Sequence, residues 1–90
     1  MNKLPEILTI LVEECAEVTQ LACKIQRFGL DSCHPNDPSI TNKELLIGEL
    51  GDLLALIDIL ISEGKFDVEE INAAKVAKIL KLQKWSTIFN

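Results

Sequence analysis

LPEILTILVEECAEVTQLACKIQRF, residues 4–28, places Leu4, Leu11, Val18 and Ile25 seven residues apart, with Ile7, Leu21 and Phe28 at the companion positions. A seven-residue apolar repeat of this kind is one face of an α-helix turned to a core. The companion series runs 7, 14, 21, 28, and its second member is Glu14, an acid in a slot meant for an apolar side chain. Glu17 follows one turn on, and Lys24 lies seven residues further along the same face. Pro5 suits the first helical turn, just after Asn2 and Lys3. Gly29 suits the residue that ends the helix.

A second helix is expected from Thr41 or Asn42 to Ser62, opened by a Thr41–Glu44 capping box. Its rows are Leu46, Leu50, Leu53, Ile57, Leu60 and Leu45, Glu49, Asp52, Leu56, Ile59. Two acids again interrupt an apolar row. Ile47, Leu54 and Ile61 make this helix apolar nearly all round, which calls for burial on several sides. Ninety residues supply little to cover it. A dimer at least is therefore expected, and Gly48, Gly51 and Ala55 offer a strip for close backbone approach.

Residues 29–41 contain Asp31, Ser32, Pro35, Asn36, Asp37 and Pro38, and read as a long loop. Cys33 and His34 are read there as solvent-exposed, with contact to a nucleobase as the alternative. After the turn Glu63–Phe66, Asp67 and Glu70 form a second capping-box pattern, opening a third helix to about Lys84. Trp85, Ile88 and Phe89 make an apolar tail, expected either to pack on a partner or to fray. The organisation is a single domain over residues 1–90: all-α, with three main helices per protomer in a bundle completed by self-association.

Composition narrows the function. The hydrophobic fraction is 48% with four aromatic residues, which suits a helix bundle rather than a disordered chain. A net charge of -5 speaks against binding bare nucleic acid. The longest apolar stretch, Leu53–Ile61, contains Asp58 and is too short to span a bilayer. No signal peptide is visible, and three cysteines read as free thiols in a reducing cytoplasm.

Each acid pair, Glu14 with Glu17 and Glu49 with Asp52, has the three-residue spacing that puts both carboxylates on one helix face. Buried carboxylates persist only with something positive to neutralise them. Four oxygen ligands suit Mg²⁺, or Mn²⁺ in its place, and the lone His34 fits no zinc pattern. Magnesium commonly takes phosphate oxygens as further ligands, so the cluster points to phosphate-ester or phosphoanhydride chemistry. Glu13, beside the cluster, could act as the catalytic base or as another ligand.

Glu13-Glu14-x-x-Glu17 followed by Glu49-x-x-Asp52 resembles the all-α nucleoside triphosphate pyrophosphohydrolases, the MazG-like superfamily that also contains the dimeric dUTPases. The run Gly48-Glu49-Leu50-Gly51-Asp52-Leu53-Leu54 is close to the family's second motif. Lys24-Ile25-Gln26-Arg27-Phe28-Gly29 resembles short phage and bacterial members, and the likeness covers roughly residues 6–84. The gap between the two motifs is longer than in many members because of the 29–41 segment. The resemblance implies cleavage of a (deoxy)nucleoside triphosphate between its α- and β-phosphates, giving a monophosphate and pyrophosphate. It implies that Glu14, Glu17, Glu49 and Asp52 hold Mg²⁺, and that the protein is a homodimer or homotetramer. It also implies a cellular role in cleaning or shaping the nucleotide pool.

Lys24, Arg27, Asn42, Lys75 and Lys78 are the candidate substrate-binding residues, each weighed against a solvated or, for Asn42, a helix-start role. Two rival readings stand beside the enzyme. One is a relative acting on another pyrophosphate-linked nucleotide, dUTPase-like or phosphoribosyl. The other is a non-catalytic helical dimerisation module stabilised by metal.

Overall fold

A computed structural model of the chain describes residues 2–90. It is mostly helical, in the order α1 (Leu4–Phe28), β1 (Cys33–His34), β2 (Asp37–Thr41), α2 (Asn42–Ser62) and α3 (Val68–Trp85). Two compact units result, Met1–Ile59 and Leu60–Asn90, with α2 continuous across the division. No helix among the described residues is long and apolar enough to cross a membrane.

In the first unit, α1 begins with the Leu4 N–H donating to Asn2 Oδ1 at 3.0 Å, and Pro5 sits in its first turn, where a missing N–H costs nothing. Thr9 and Thr19 turn their hydroxyls back onto the carbonyls of Pro5 and Cys15, which satisfies them within the helix. Gly29 ends α1 with φ 92° and ψ 164°, a conformation essentially confined to glycine, and donates its N–H to Ile25 at 2.7 Å.

The connection corrects the loop expectation. It contains a small antiparallel hairpin in which Cys33 pairs with Thr41 and His34 with Asp37, with an irregularity between. Pro35 and Asn36 are the two residues between the paired His34 and Asp37, where a proline's fixed φ favours a tight turn. Asn36 N–H donates to His34 Nδ1 at 3.0 Å, and Asp37 Oδ1 accepts from the Ser39 N–H and hydroxyl. Pro38 lies within β2, and a two-stranded sheet has only edge strands, where proline is tolerated. Two prolines excluded a helix here but did not exclude strands.

The start of α2 is tied to the end of α1. Asn42 N–H donates to Ser32 at 2.9 Å, Lys43 N–H to Leu30 at 2.9 Å, and the Asn42 side-chain amide to the Gly29 carbonyl at 3.0 Å. Glu44 N–H donates to Thr41 Oγ1 at 3.2 Å, as the capping pattern requires. These contacts occupy donors that a helix start leaves unpaired. Asn42 is only 3% exposed, the most buried polar residue among the described residues.

Burial re-sorts the rows of α2. Asn42 and Leu56 are buried and Leu46, Glu49 and Leu53 half-buried, while Leu45, Leu50 and Asp52 are exposed. The inward row therefore steps 42, 46, 49, 53, 56, crossing the two rows expected from sequence. On α1 the expected row holds: Ile7 and Leu21 are buried, and Leu4, Leu11, Glu14, Val18 and Ile25 half-buried. Phe28, its last member, is exposed.

In the second unit, α2 ends after the buried Leu60. The turn that follows uses Gly64 at φ 77°, whose N–H reaches the Ile61 carbonyl at 3.0 Å. Asp67 caps α3 at the expected position, its carboxylate accepting the Glu69 N–H at 2.9 Å rather than that of Glu70. Ser86 closes α3 onto the Leu82 carbonyl. Trp85 is 78% exposed with the Lys84 ammonium 5.1 Å from its ring centre, and Ile88 and Phe89 are exposed beside it.

Candidate metal centre

Glu14 and Glu17 stand one turn apart on α1, and Glu49 stands two turns into α2. Because α2 starts beside the end of α1 and runs back along it, Glu49 arrives at the level of the α1 pair. One carboxylate oxygen from each of Glu14, Glu17 and Glu49 lies within 4.8 Å of the others. Glu14 and Glu49 are half-buried and Glu17 is exposed. The inner oxygens, Oε2 of Glu14 and Oε2 of Glu49, are shielded from solvent and meet no hydrogen-bond donor.

That arrangement is electrostatically unfavourable when empty of positive charge. A carboxyl group facing two carboxylates meets no donor unless it keeps its own proton. The hydrogen bond a protonated Glu49 makes to Glu17, then that to Glu14, followed by burial and the two negative charges, pushes Glu49 from 4.5 up to about 7. The donor set is oxygen only, with inner oxygens unpaired, and this fits a hard divalent cation such as Mg²⁺ or Mn²⁺.

Asp52 does not join the three glutamates; it is exposed. The inward row leaves Glu49 through Leu53, about 40° to one side, whereas Asp52 lies about 60° to the other at 100° per residue. Its side chain is also one methylene shorter than glutamate. Glu13 is exposed on α1 next to the cluster. Arg27 holds its guanidinium 5.2 Å from the centre of the Phe28 ring. Lys75 and Lys78 are exposed on α3, in the second unit.

The remaining two candidates meet at a cavity of about 220 Å³ in the first unit. Lys24 and Phe28 line it from α1 and Asn42 from the start of α2. The hairpin segment adds Ser32, Cys33, His34 and Pro35; His34 is exposed, as the sequence suggests, and Cys33 is half-buried. Only the turn signal Pro35-Asn36 hinted that this segment folds back on itself.

Comparison with protein-family models, with curated proteins and with solved structures finds no match for this chain.

Proposed function

We propose that the protein is a Mg²⁺-dependent pyrophosphohydrolase that converts a nucleoside triphosphate, in particular a deoxynucleotide, into its monophosphate and pyrophosphate. The observation that carries this reading is the meeting of Glu14, Glu17 and Glu49 from two helices, with two inner oxygens lacking any donor. The likeness of the Glu13–Glu17 and Glu49–Asp52 motifs to MazG-like enzymes supplies the substrate class.

In this reading Glu14, Glu17 and Glu49 hold the cation, and Asp52, exposed on α2, is outside the set. When bound, the ion neutralises phosphate charge and polarises a phosphoryl oxygen. Glu13, exposed beside the cluster, takes a proton from water as the water oxygen bonds to the α-phosphorus. The bond from that phosphorus to the bridging oxygen breaks, and pyrophosphate leaves with the bond's electron pair. Lys24 stands seven residues beyond Glu17 on the same helix face and offers its ammonium to the substrate.

The active form is proposed to be a homodimer or homotetramer. Ile47 and Leu54, one heptad apart on α2, are 59% and 63% exposed. A side chain added at Gly48 or Gly51 would meet nothing within 4 Å, so that strip is open to another backbone. Light scattering should give a mass of two or four chains, and a monomer would remove this part of the reading.

The activity is tested by measuring pyrophosphate release from the common deoxynucleoside triphosphates with Mg²⁺ and with EDTA. Release that needs Mg²⁺ and disappears in Glu49→Gln supports the enzyme. A rise in melting temperature with Mg²⁺ but no turnover of any triphosphate would establish the metal-stabilised module instead.

A further inference from the structure

We propose that α3 pairs antiparallel with α3 of a second copy, through an exposed strip that is complementary to itself. This contact is separate from the α2 strip, and it needs neither the acid cluster nor turnover.

At about 100° per residue, Glu69, Ala73, Val76, Ala77, Leu80 and Lys84 fall within a single arc of about 100° on α3. All are exposed, Val76 at 54% and Leu80 at 60%. Ile71 and Leu82, the half-buried residues of the helix, lie on the opposite side. α3 thus turns an apolar row outward, and none of its residues is buried. Short helices gain most of their stability from packing, so covering that row stabilises this one.

The order of residues along the strip decides what covers it. In a pair related by a two-fold axis, residue i faces residue j of the partner and j faces i. An axis between Val76 and Ala77 sets Glu69 against Lys84, Ala73 against Leu80 and Val76 against Ala77, each pair occurring twice. An acid then meets a lysine, and each larger apolar side chain meets an alanine. Small against large lets two helices interdigitate at close range, and opposite charges fix the direction and register.

The competing arrangements lose this match. A parallel pair sets Glu69 against Glu69 and Lys84 against Lys84. The exposed α2 row, Glu44, Ile47, Gly51, Leu54 and Asp58, has an acid at each end, so in either direction it brings an acid to Glu69. The strip therefore fits a second α3. It is short beside the roughly 20–30 residues a side of a stable interface, so the pairing is weak and depends on concentration.

The test is sedimentation velocity of the full chain in EDTA over a wide range of protein concentration. The mass should double as concentration rises. Glu69→Lys and Lys84→Glu should each move the midpoint of that step about tenfold higher, because each turns two attractive contacts into repulsive ones. A chain carrying both changes should return to the parent midpoint, since the reversed pairs attract again. Leu80→Glu should remove the step, with circular dichroism checking that α3 persists. Should it unfold the helix, the charge variants and their combination decide. A mass that never doubles, or a step that both single charge variants leave in place, overturns the pairing. Failure of the combined variant to recover also overturns it, and is the result that docking on α2 or on a different partner would give. The α2 contact fails separately: Leu54→Glu should lower the mass at low concentration and leave the α3 step, with its sensitivity to Glu69→Lys, intact.

Discussion

Glu17 and Glu49 come from helices separated by an entire hairpin, yet their carboxylate oxygens lie within 4.8 Å, and the contact forces Glu49 to hold its proton up to about pH 7. The unfolded chain releases that proton near 4.5. Between those values the folded state binds more protons than the unfolded state, so this group's stabilising contribution is full below pH 4.5 and is lost as pH rises through 7. Metal-free protein should therefore melt at progressively lower temperature from pH 5 to 7.5 in EDTA. The same series on Glu49→Gln should lack that part of the slope, and identical slopes in the two proteins would refute the carboxylate contact.

Divalent cations should reverse the effect. At pH 7.5, Mn²⁺ or Mg²⁺ should raise the melting temperature, because binding to the native state alone stabilises it by mass action. Below pH 7 the ion must displace the Glu49 proton, so apparent Mn²⁺ affinity should fall about tenfold per pH unit. Calorimetry in two buffers of different ionisation enthalpy would detect the released proton. Affinity independent of pH between 5 and 7 would show that the ion binds elsewhere.

Asn42 should matter for stability before it matters for substrate. Its buried amide clamps the Gly29 carbonyl and so joins the start of α2 to the end of α1. Asn42→Ala leaves that carbonyl without its partner and should cost about 1–3 kcal/mol. Thermal denaturation should show a drop of about 4–8 °C for each kcal/mol in a chain of this size. An unchanged melting temperature would assign Asn42 to ligand contact alone.

Gly29→Ala isolates a backbone effect. An added Cβ would meet nothing within 4 Å, so sterics with the surroundings contribute nothing. The φ of 92° with ψ 164° is still closed to alanine, and the cost should be about 1–3 kcal/mol. Urea denaturation should show a lower midpoint with an unchanged slope. A midpoint within error of the parent would mean that the turn relaxes to another conformation.

The helices were legible because their signals are local. The heptad of α1, Pro5 at its start, Gly29 at its end and the Thr41–Glu44 cap each act within a few residues, and each appears where the sequence places it. The hairpin was not legible, because Pro35 and Pro38 announce a break in helix and strand pairing depends on residues met across the turn. The acid pairs were half legible. Glu14 falls on an unbroken apolar row, so its inward position follows from spacing. Glu49 and Asp52 shared a row on paper, and packing turned the helix so that Glu49 faces in and Asp52 faces out.

Sequence by itself determined that this chain makes three amphipathic or apolar helices and that acids occupy places suited to core residues. Helical periodicity is a property of one segment, and it needs no neighbour to be read. Only the tertiary structure decided which three carboxylates meet, that Asp52 stands apart from them, and that Cys33 and His34 wall a cavity with Lys24. Those outcomes depend on how α2 rotates as it runs back along α1, and on the Asn42–Gly29 clamp that fixes its starting point. A rotation of a few tens of degrees changes which side chains meet while leaving every local pattern intact.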